Sequence, residues 1–256
     1  MIDLHLHILS GVDDGSRDMD DSLAMADLAA RSGVKALVAT PHSNQMGRFE
    51  NFCSPDLTEA FDELETEVKR AGIPIRILRG MEIYASEDMS RKIRRGMLTG
   101  LTGSHYYLVE VPFGAQPSWI EARLQEIQAE GKIPLVAHVE RYYCVQDDPV
   151  LVYSWLSEGC RIQVNKGSFF GRFGRMAQRT AHTLMENDLI SCVASDAHRP
   201  DVRTPWMKDI RDYLIQHAGE QYARQMLQSN PEKIINDQTI RMHGRPPGRR
   251  KKYFWQ

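Results

Sequence analysis

The sequence predicts an α/β protein, a distorted (β/α)7 barrel with its active site at the C-terminal ends of the strands. Three observations predict it: seven short aliphatic runs, helix-like segments between them, and no linker rich in Gly, Ser or Pro that would divide the chain. Strands that alternate with helices form βαβ units around a parallel sheet. Because 256 residues is an ordinary length for one such barrel, we expect a single domain over residues 1–240.

The predicted strands are runs of aliphatic and β-branched residues, which suit the pleated surface of a sheet. They cover residues 2–6, 34–40, 73–78, 106–111, 133–139, 161–164 and 189–194. Helix-like segments lie between them, and three end just before a glycine, the residue that most readily adopts the left-handed conformation after a helix. These three cover residues 20–32, 55–71 and 118–130.

Composition and charge limit the classes of function. Charged residues make up 26% and hydrophobic residues 42% of the chain, which is ordinary for a globular protein. The formal net charge of -2 gives no reason to expect a nucleic-acid partner. No stretch approaches the roughly 20 apolar residues of a membrane helix, and the N-terminus lacks the pattern of a signal peptide. We therefore expect a cytoplasmic protein without a transmembrane segment.

Two further features concern the tail and the cysteines. Residues 241–256 form a basic C-terminal tail, which is expected to be peripheral and could dock on a partner or on an acidic membrane face. The four cysteines are scattered without a CxxC pair, which favours reduced thiols. None has an arginine six positions further on, so phosphate chemistry based on cysteine is disfavoured. The sequence does not indicate an oligomeric state.

Histidines and carboxylates lie at or after the ends of the predicted strands. They are His5, His7, His42, Glu82, Glu110, His138, Asp196 and His198. His5 and His7 are two residues apart on a strand, so both imidazoles face the same side and can bind one metal ion. Glu82 or Glu110 alone could equally cap a helix or pair with an arginine. Because strand ends of a parallel barrel share one face, however, the repeated placement favours one metal centre.

The remaining histidines and the first loop carry weaker signals. His105, His182, His217 and His243 have no such placement, so we expect them to be structural or solvent-facing. Asp13 or Asp14, in the loop SGVDDG, could complete the site, although such loops are most often only turns. With Asp14 the set has nine ligands, four of them carboxylates, which suits three ions that share bridging ligands.

The chemistry of these ligands favours particular ions and an anionic substrate. Imidazoles and carboxylates without thiolate favour manganese, with iron or zinc as alternatives. Three divalent ions carry +6 against -4 from four carboxylates, and an anionic group such as a phosphoryl group would meet the difference.

Six motifs occur in order over residues 1–205: HLHILSGVDDGS, VATPH, GMEI, LVEVP, HVER and SDAH. Together they resemble the polymerase-and-histidinol-phosphatase (PHP) superfamily, and are most similar to the bacterial tyrosine-protein phosphatases of capsule and exopolysaccharide clusters, the CpsB/YwqE type. The resemblance implies a PHP-type barrel and a trinuclear manganese-type centre. It also implies a metal-dependent phosphoric monoester hydrolase that removes phosphate from the tyrosine-rich tail of a cognate autokinase regulating polysaccharide synthesis.

By position, the resemblance also implies roles for individual residues. The implied groups are His5, His7, Glu82 and Asp196 for one ion, Glu82, Glu110 and His138 for a second, and Asp14, His42 and His198 for a third. The resemblance thereby selects Asp14 over Asp13. It places Arg141 and Arg203 where the family binds phosphate, a role that suits the planar guanidinium. Many relatives read HPER where this chain has HVER, and the segment NKGSFFG matches no motif that we can assign.

Three alternatives remain open at this point. The first is a phosphatase for a small metabolite such as histidinol phosphate, which the motifs do not exclude. The second is a nucleic-acid-processing member of the superfamily, which the lack of polymerase domains and of basic surface outside the tail disfavours. The third is a noncatalytic scaffold with a docking tail, which is disfavoured because every ligand position holds a competent side chain.

Overall fold

The computed structural model describes residues 1–248. Its strands are β1 (Ile2–Leu6), β2 (Ala36–Ala39), β3 (His42–Ser43), β4 (Arg76–Arg79), β5 (Glu82–Tyr84), β6 (Tyr106–Glu110), β7 (Ile133–Val136), β8 (Arg161–Asn165) and β9 (Cys192–Ala194). Its helices are α1 (Met19–Arg31), α2 (Pro55–Arg70), α3 (Met89–Arg94), α4 (Pro117–Ala129), α5 (Tyr143–Asp147), α6 (Val150–Ser157), α7 (Lys166–Phe169), α8 (Arg175–Glu186), α9 (Lys208–Ala218), α10 (Glu220–Arg224) and α11 (Asn230–Ile235).

The strands form one curled, parallel sheet with seven strand positions. The second position consists of β2 followed by β3, and the third consists of β4 followed by β5. Because both are interrupted, the strands pair in two sets, in the orders β1-β2-β4 and β3-β5-β6-β7-β8-β9. The amide of Gly80 donates to the Ala39 carbonyl at 2.9 Å, which joins the two parts. At the other edge, the amide of Asp196 donates to the carbonyl of His5 at 2.8 Å, so β1 meets the segment after β9. The predicted distorted (β/α)7 barrel is confirmed.

Each predicted strand run contains a strand, but the two interruptions were not predicted. Pro41 separates β2 from β3, since proline has no amide hydrogen to continue a ladder. Gly80 separates β4 from β5, and a Cβ there would lie 2.8 Å from Leu101 and 2.9 Å from Val38. Two- and three-residue strands are too short to show a period, so β3 and β5, which carry His42 and Glu82, escape sequence reasoning.

The three predicted helices are present with one-residue shifts, and their starts have visible causes. The carboxylate of Asp18 accepts a hydrogen bond from the amide of Asp21 at 2.9 Å and begins α1. The hydroxyl of Ser54 accepts from the amide of Leu57 at 3.1 Å and begins α2, whose first residue is proline. Both are standard N-terminal caps.

Apolar side chains pack on both faces of the sheet. Because neighbouring residues of a strand face opposite sides, Val109 packs with helix residues such as Leu124 and Trp155, while Leu108 packs with Leu135 in a separate cluster. Leu108 shares its face with Glu110, two residues further on. An apolar layer therefore lies beneath the polar side chains at the C-terminal end of the barrel.

The last described residues pack against the barrel. The hydroxyl of Tyr106 donates to the carbonyl of Gln238 at 2.8 Å, and the guanidinium of Arg161 donates to the carbonyl of Ile240 at 2.8 Å. Arg245 contacts the end of α8. The predicted domain boundary at residue 240 stays a prediction, and residues 249–256 of the predicted tail lie outside the described residues. Within residues 1–248, no helix is both long and apolar enough to cross a membrane.

Candidate metal centre

The nine proposed ligands converge at the C-terminal end of the barrel, with Glu82 at their centre. One oxygen of Glu82 lies 3.2 Å from Nε2 of His5 and 2.9 Å from Nε2 of His138. Its other oxygen lies 3.3 Å from Nε2 of His7 and 2.9 Å from Nδ1 of His42. The carboxylate of Glu82 is almost fully buried and contacts four imidazoles, which is the geometry of a bridging ligand.

Three groups of side chains have ligand atoms close enough to share an ion. They are His5, His7 and Asp196; His42, Glu82 and Glu110; and His7, Asp14, His42 and His198. The first and third groups largely match the ligand groups that the resemblance implies, and His7 belongs to both of them. In the second, His42 stands where the resemblance implied His138. His138 also approaches this pair, because its Nε2 lies 3.6 Å from Glu110.

Buried atoms without hydrogen-bond partners test whether these residues fit metal ions. Nε2 of His5, Nε2 of His7 and one oxygen of Glu82 are buried, and although each lies 2.9–3.3 Å from another polar atom of the site, none of these contacts has hydrogen-bond geometry. Polar atoms in that state are costly unless something binds them. Five imidazoles and four carboxylates without thiolate are a donor set that transition-metal ions prefer. The residues therefore fit a multinuclear metal centre.

The pKa values of two neighbouring carboxylates, Glu82 and Glu110, also favour the binding of cations. Burial raises the pKa of Glu110 to about 8, with the charge of Glu82 adding to the effect. Burial would also raise the pKa of Glu82, yet the adjacent His5 and His42 hold it well below its usual range. The raised pKa of Glu110 means that keeping both carboxylates charged in this buried site needs further positive charge. Divalent cations would supply that charge.

Three buried polar residues orient the ligands from behind. Asp13 accepts a hydrogen bond from Nδ1 of His7 at 2.7 Å, which turns Nε2 toward the centre. Gln163 contacts Nδ1 of His5 at 3.1 Å, and Asn165 donates to Asp196 at 2.6 Å. Such partners fix the ring orientation of metal-binding histidines and the placement of carboxylates.

Sequence reasoning weighed Asp13 only as a ligand and missed Gln163 and Asn165. In the structure, Asp13 lies behind His7 and also accepts hydrogen bonds from the amides of His42 at 2.9 Å and Gly15 at 3.0 Å. The signal for the other two was present: Gln163 and Asn165 are polar and two apart in β8, so they share one face of a strand that is otherwise apolar after its first residue.

Three site residues in the segments after β7 and β9 have left-handed backbone. His138 has φ 31°, Asp196 has φ 50° and Arg203 has φ 54°. Side chains other than glycine rarely adopt this region, and where they do the surrounding structure must hold them there, commonly at functional sites. The turns after β7 and β9 are therefore built for the site.

Arg141 and Arg203 lie at the rim and share an aromatic neighbour. The guanidinium of Arg141 lies between the rings of Phe113 and Phe173, at 4.5 and 4.4 Å from their centroids. Arg203 lies 5.5 Å from the same Phe173 ring and contacts the carboxylate of Asp196. Sequence reasoning singled out both arginines but neither phenylalanine. Two guanidinium groups held beside the candidate metal ligands suit an oxyanion such as phosphate.

The remaining histidines are His105, His182, His217 and His243, and the first three make clear contacts outside the candidate centre. His105 pairs with Asp237 at 2.7 Å. His182 contacts the Tyr213 hydroxyl at 3.0 Å, and His217 contacts the Tyr213 carbonyl at 2.8 Å. Among the described residues, none of the four belongs to a group that could hold an ion.

Comparison with known proteins gives a consistent result. A family model for capsular polysaccharide synthesis proteins, CpsB/CapC, matches residues 1–236. The chain is 34% identical over 254 residues to the tyrosine-protein phosphatase YwqE of Bacillus subtilis strain 168, covering 99% of each chain. It is 32% identical over 247 residues to the tyrosine-protein phosphatase CpsB of Streptococcus pneumoniae, covering 94% of this chain and 100% of that one.

Two solved structures share the fold of this chain. One, described as YwqE from Bacillus subtilis and CpsB from Streptococcus pneumoniae, unique metal-dependent tyrosine phosphatases, superposes with a TM-score of 0.90 at 33% identity. It covers 98% of this chain and 100% of that chain. The lactonase Lmo2620 of Listeria monocytogenes superposes with a TM-score of 0.63 at 12% identity, over 93% of this chain and 95% of that one, which shows a shared fold alone.

Proposed function

Because the chain belongs to the CpsB/CapC family of capsular polysaccharide synthesis proteins, we propose that it is a metal-dependent protein-tyrosine phosphatase. Its substrate is phosphotyrosine on the tail of a cognate bacterial tyrosine autokinase that regulates capsule or exopolysaccharide synthesis. The observation that carries the proposal is the bridging position of Glu82 among four imidazoles, with two arginines at the rim.

The centre holds three divalent ions in this proposal, with manganese ranked before iron or zinc. The proposed ligands are His5, His7, Asp14, His42, Glu82, Glu110, His138, Asp196 and His198. Glu82, which faces four imidazoles, would be shared between two of the ions. His42 lies between two candidate groups, because Nδ1 faces Glu82 at 2.9 Å while Nε2 faces Asp14 at 3.4 Å, so it could take part in either.

In the proposed mechanism, the arginines hold the phosphate and the phenol is the leaving group. Divalent ions in the centre supply Lewis acidity and lower the pKa of water. Arg141 and Arg203 bind phosphate oxygens and stabilise the charge that develops on them. A phenol, with a pKa of about 10, leaves more readily than an alkoxide, so aryl phosphates are the favoured substrates.

The cysteines do not supply a nucleophile in this mechanism. Burial raises the pKa of all four thiols, to about 12 for Cys160. A thiol with a raised pKa is rarely the reactive thiolate. This agrees with the missing arginine six positions after each cysteine, and no covalent phosphoenzyme is required.

Two other readings receive less support. A small-metabolite phosphatase such as histidinol-phosphatase would share the metal chemistry, but the relatives that match nearly the whole chain are named tyrosine-protein phosphatases. A noncatalytic scaffold would not need nine competent ligands in one place. A docking role for the basic tail is compatible with catalysis and remains part of the proposal.

The proposed function predicts a clear order of substrates. On manganese-loaded protein, kcat/KM for a phosphotyrosine peptide should exceed that for histidinol phosphate and for the matching phosphoserine peptide by roughly a hundredfold, because the phenol is the better leaving group. Phosphate release from the three substrates measures this directly. A preference for histidinol phosphate would make the protein a metabolic phosphatase, and turnover of none of them would support a scaffold.

A further inference from the structure

A cavity of about 190 Å³ adjoins the metal centre beside β8 and β9. Its lining includes Lys166, Phe170, Arg172, Phe173, Arg203 and Asp209. Four of these residues lie in the segment that follows β8, KGSFFGRFG, which overlaps the unassigned NKGSFFG and extends three residues beyond it. Three of the six are cations and two are aromatic, which is the composition of a site for an anion with an apolar portion.

Phe173 lines this cavity and also contacts the two arginines beside the candidate metal centre. Its ring lies 4.4 Å from the guanidinium of Arg141 and 5.5 Å from that of Arg203, and it also lines the cavity. Arg203 lines the cavity as well, while its guanidinium contacts Asp196 in the centre. A group bound in the cavity therefore lies next to any phosphate that the two arginines hold.

Gly167 in this segment lets two of the segment's side chains pack at the cavity. A Cβ on Gly167 would lie 3.0 Å from the Phe173 ring and 3.3 Å from Cδ of Arg172. Both are tighter than ordinary contacts, so glycine at this position lets Phe173 and Arg172 pack over α7. The segment therefore places one aromatic ring and one cation at the cavity.

The charged residues of the cavity differ in whether they already have an ion-pair partner. Lys166 is buried, and its ammonium lies 3.0 Å from a carboxylate oxygen of Asp209. Arg203 is paired with Asp196. Arg172 is exposed and makes no ion pair with any residue of 1–248. One cation is thus available to a ligand, and the charge of Asp209 is already compensated.

We propose that this cavity is a subsite for an anionic side chain that flanks the phosphotyrosine in the substrate, with Arg172 as its main contact. The inference rests on the proposed function. The size supports a single side chain, since pockets for whole small molecules span roughly 300–1,000 Å³. The anion is a carboxylate of Asp or Glu, or the phosphate of a neighbouring phosphotyrosine.

The test compares peptides that differ only beside the phosphotyrosine, with Glu, a second phosphotyrosine, Ala or Lys at that position. The wild-type protein should give a higher kcat/KM for the anionic neighbours than for Lys. Arg172→Glu should lower the ratio of the Glu peptide to the Lys peptide by about tenfold or more, because an attractive charge contact becomes repulsive. The Glu and phosphotyrosine arms show which anion the subsite prefers.

Arg175→Glu is the matched control. Arg175 is an exposed arginine three residues further along that does not line the cavity, so this variant should keep the wild-type ratio. Equal shifts in both variants would show only long-range electrostatics and overturn the subsite. Turnover of all four peptides without preference by the wild type would overturn the subsite alone. Turnover of none of them would reject the proposed function, and the subsite with it.

Discussion

Replacing Glu82 with glutamine is expected to remove metal binding and phosphatase activity together. The variant keeps the size of the side chain but loses the charge that faces four imidazoles at 2.9–3.3 Å. An amide is a weak ligand for the ions that this donor set prefers, so two ions would lose a shared ligand. We expect turnover of a phosphotyrosine peptide to fall by about a thousandfold or more, with metal content measured by mass spectrometry falling in parallel.

A matched control separates this effect from a general loss of structure. Glu63 is an exposed glutamate on α2, far from the site, so Glu63→Gln should keep both metal content and turnover. Circular dichroism of Glu82→Gln checks that the barrel remains folded. A folded Glu82→Gln protein with full metal content and turnover near wild type would refute the bridging role of Glu82.

Replacing Arg141 with alanine is expected to separate activity from metal content. Arg141 approaches the ligands only at 3.6 Å, from its guanidinium to Asp196, and its main contacts are the rings of Phe113 and Phe173. Metal content should therefore stay near normal. Turnover should fall by about a hundredfold to a thousandfold, the usual cost of removing one group that stabilises transition-state charge.

The control for Arg141 is an arginine with similar surroundings outside the site. Arg123 lies over the ring of Trp119 at 5.5 Å and pairs with Glu126. Arg123→Ala should leave turnover unchanged. This result would show that removing an arginine from an aromatic ring does not by itself lower turnover. Normal turnover in Arg141→Ala would remove Arg141 from the phosphate site, whereas loss of metal would make it a support for the ligands.

Much of the architecture could be predicted because strand and ligand signals coincide. The HxH spacing on β1 and the SDAH segment after β9 predicted one shared face, and the structure brings them together: Nε2 of His5 and Asp196 lie 3.6 Å apart. Strand alternation and the common direction of parallel strands are local rules that survive folding. They were enough to place eight of the nine side chains at one end of the barrel, and the resemblance to a known family selected the ninth, Asp14.

What escaped prediction depends on contacts between distant segments. The position of Asp13 behind His7 depends on how the first loop folds back, not on its residue types. The stacking of Phe173 between Arg141 and Arg203 joins the turns after three different strands. Sequence spacing does not encode such packing, so the contacts of Phe173 with both arginines could be found only from the structure.

The central claim is that phosphotyrosine hydrolysis depends on the metal centre, and removal and return of the metal tests it most directly. Treating the protein with a chelator, confirming the loss of metal and then titrating manganese should first abolish turnover of a phosphotyrosine peptide. Turnover should then recover as about three ions bind per chain. Undiminished turnover by the metal-free protein would contradict the account.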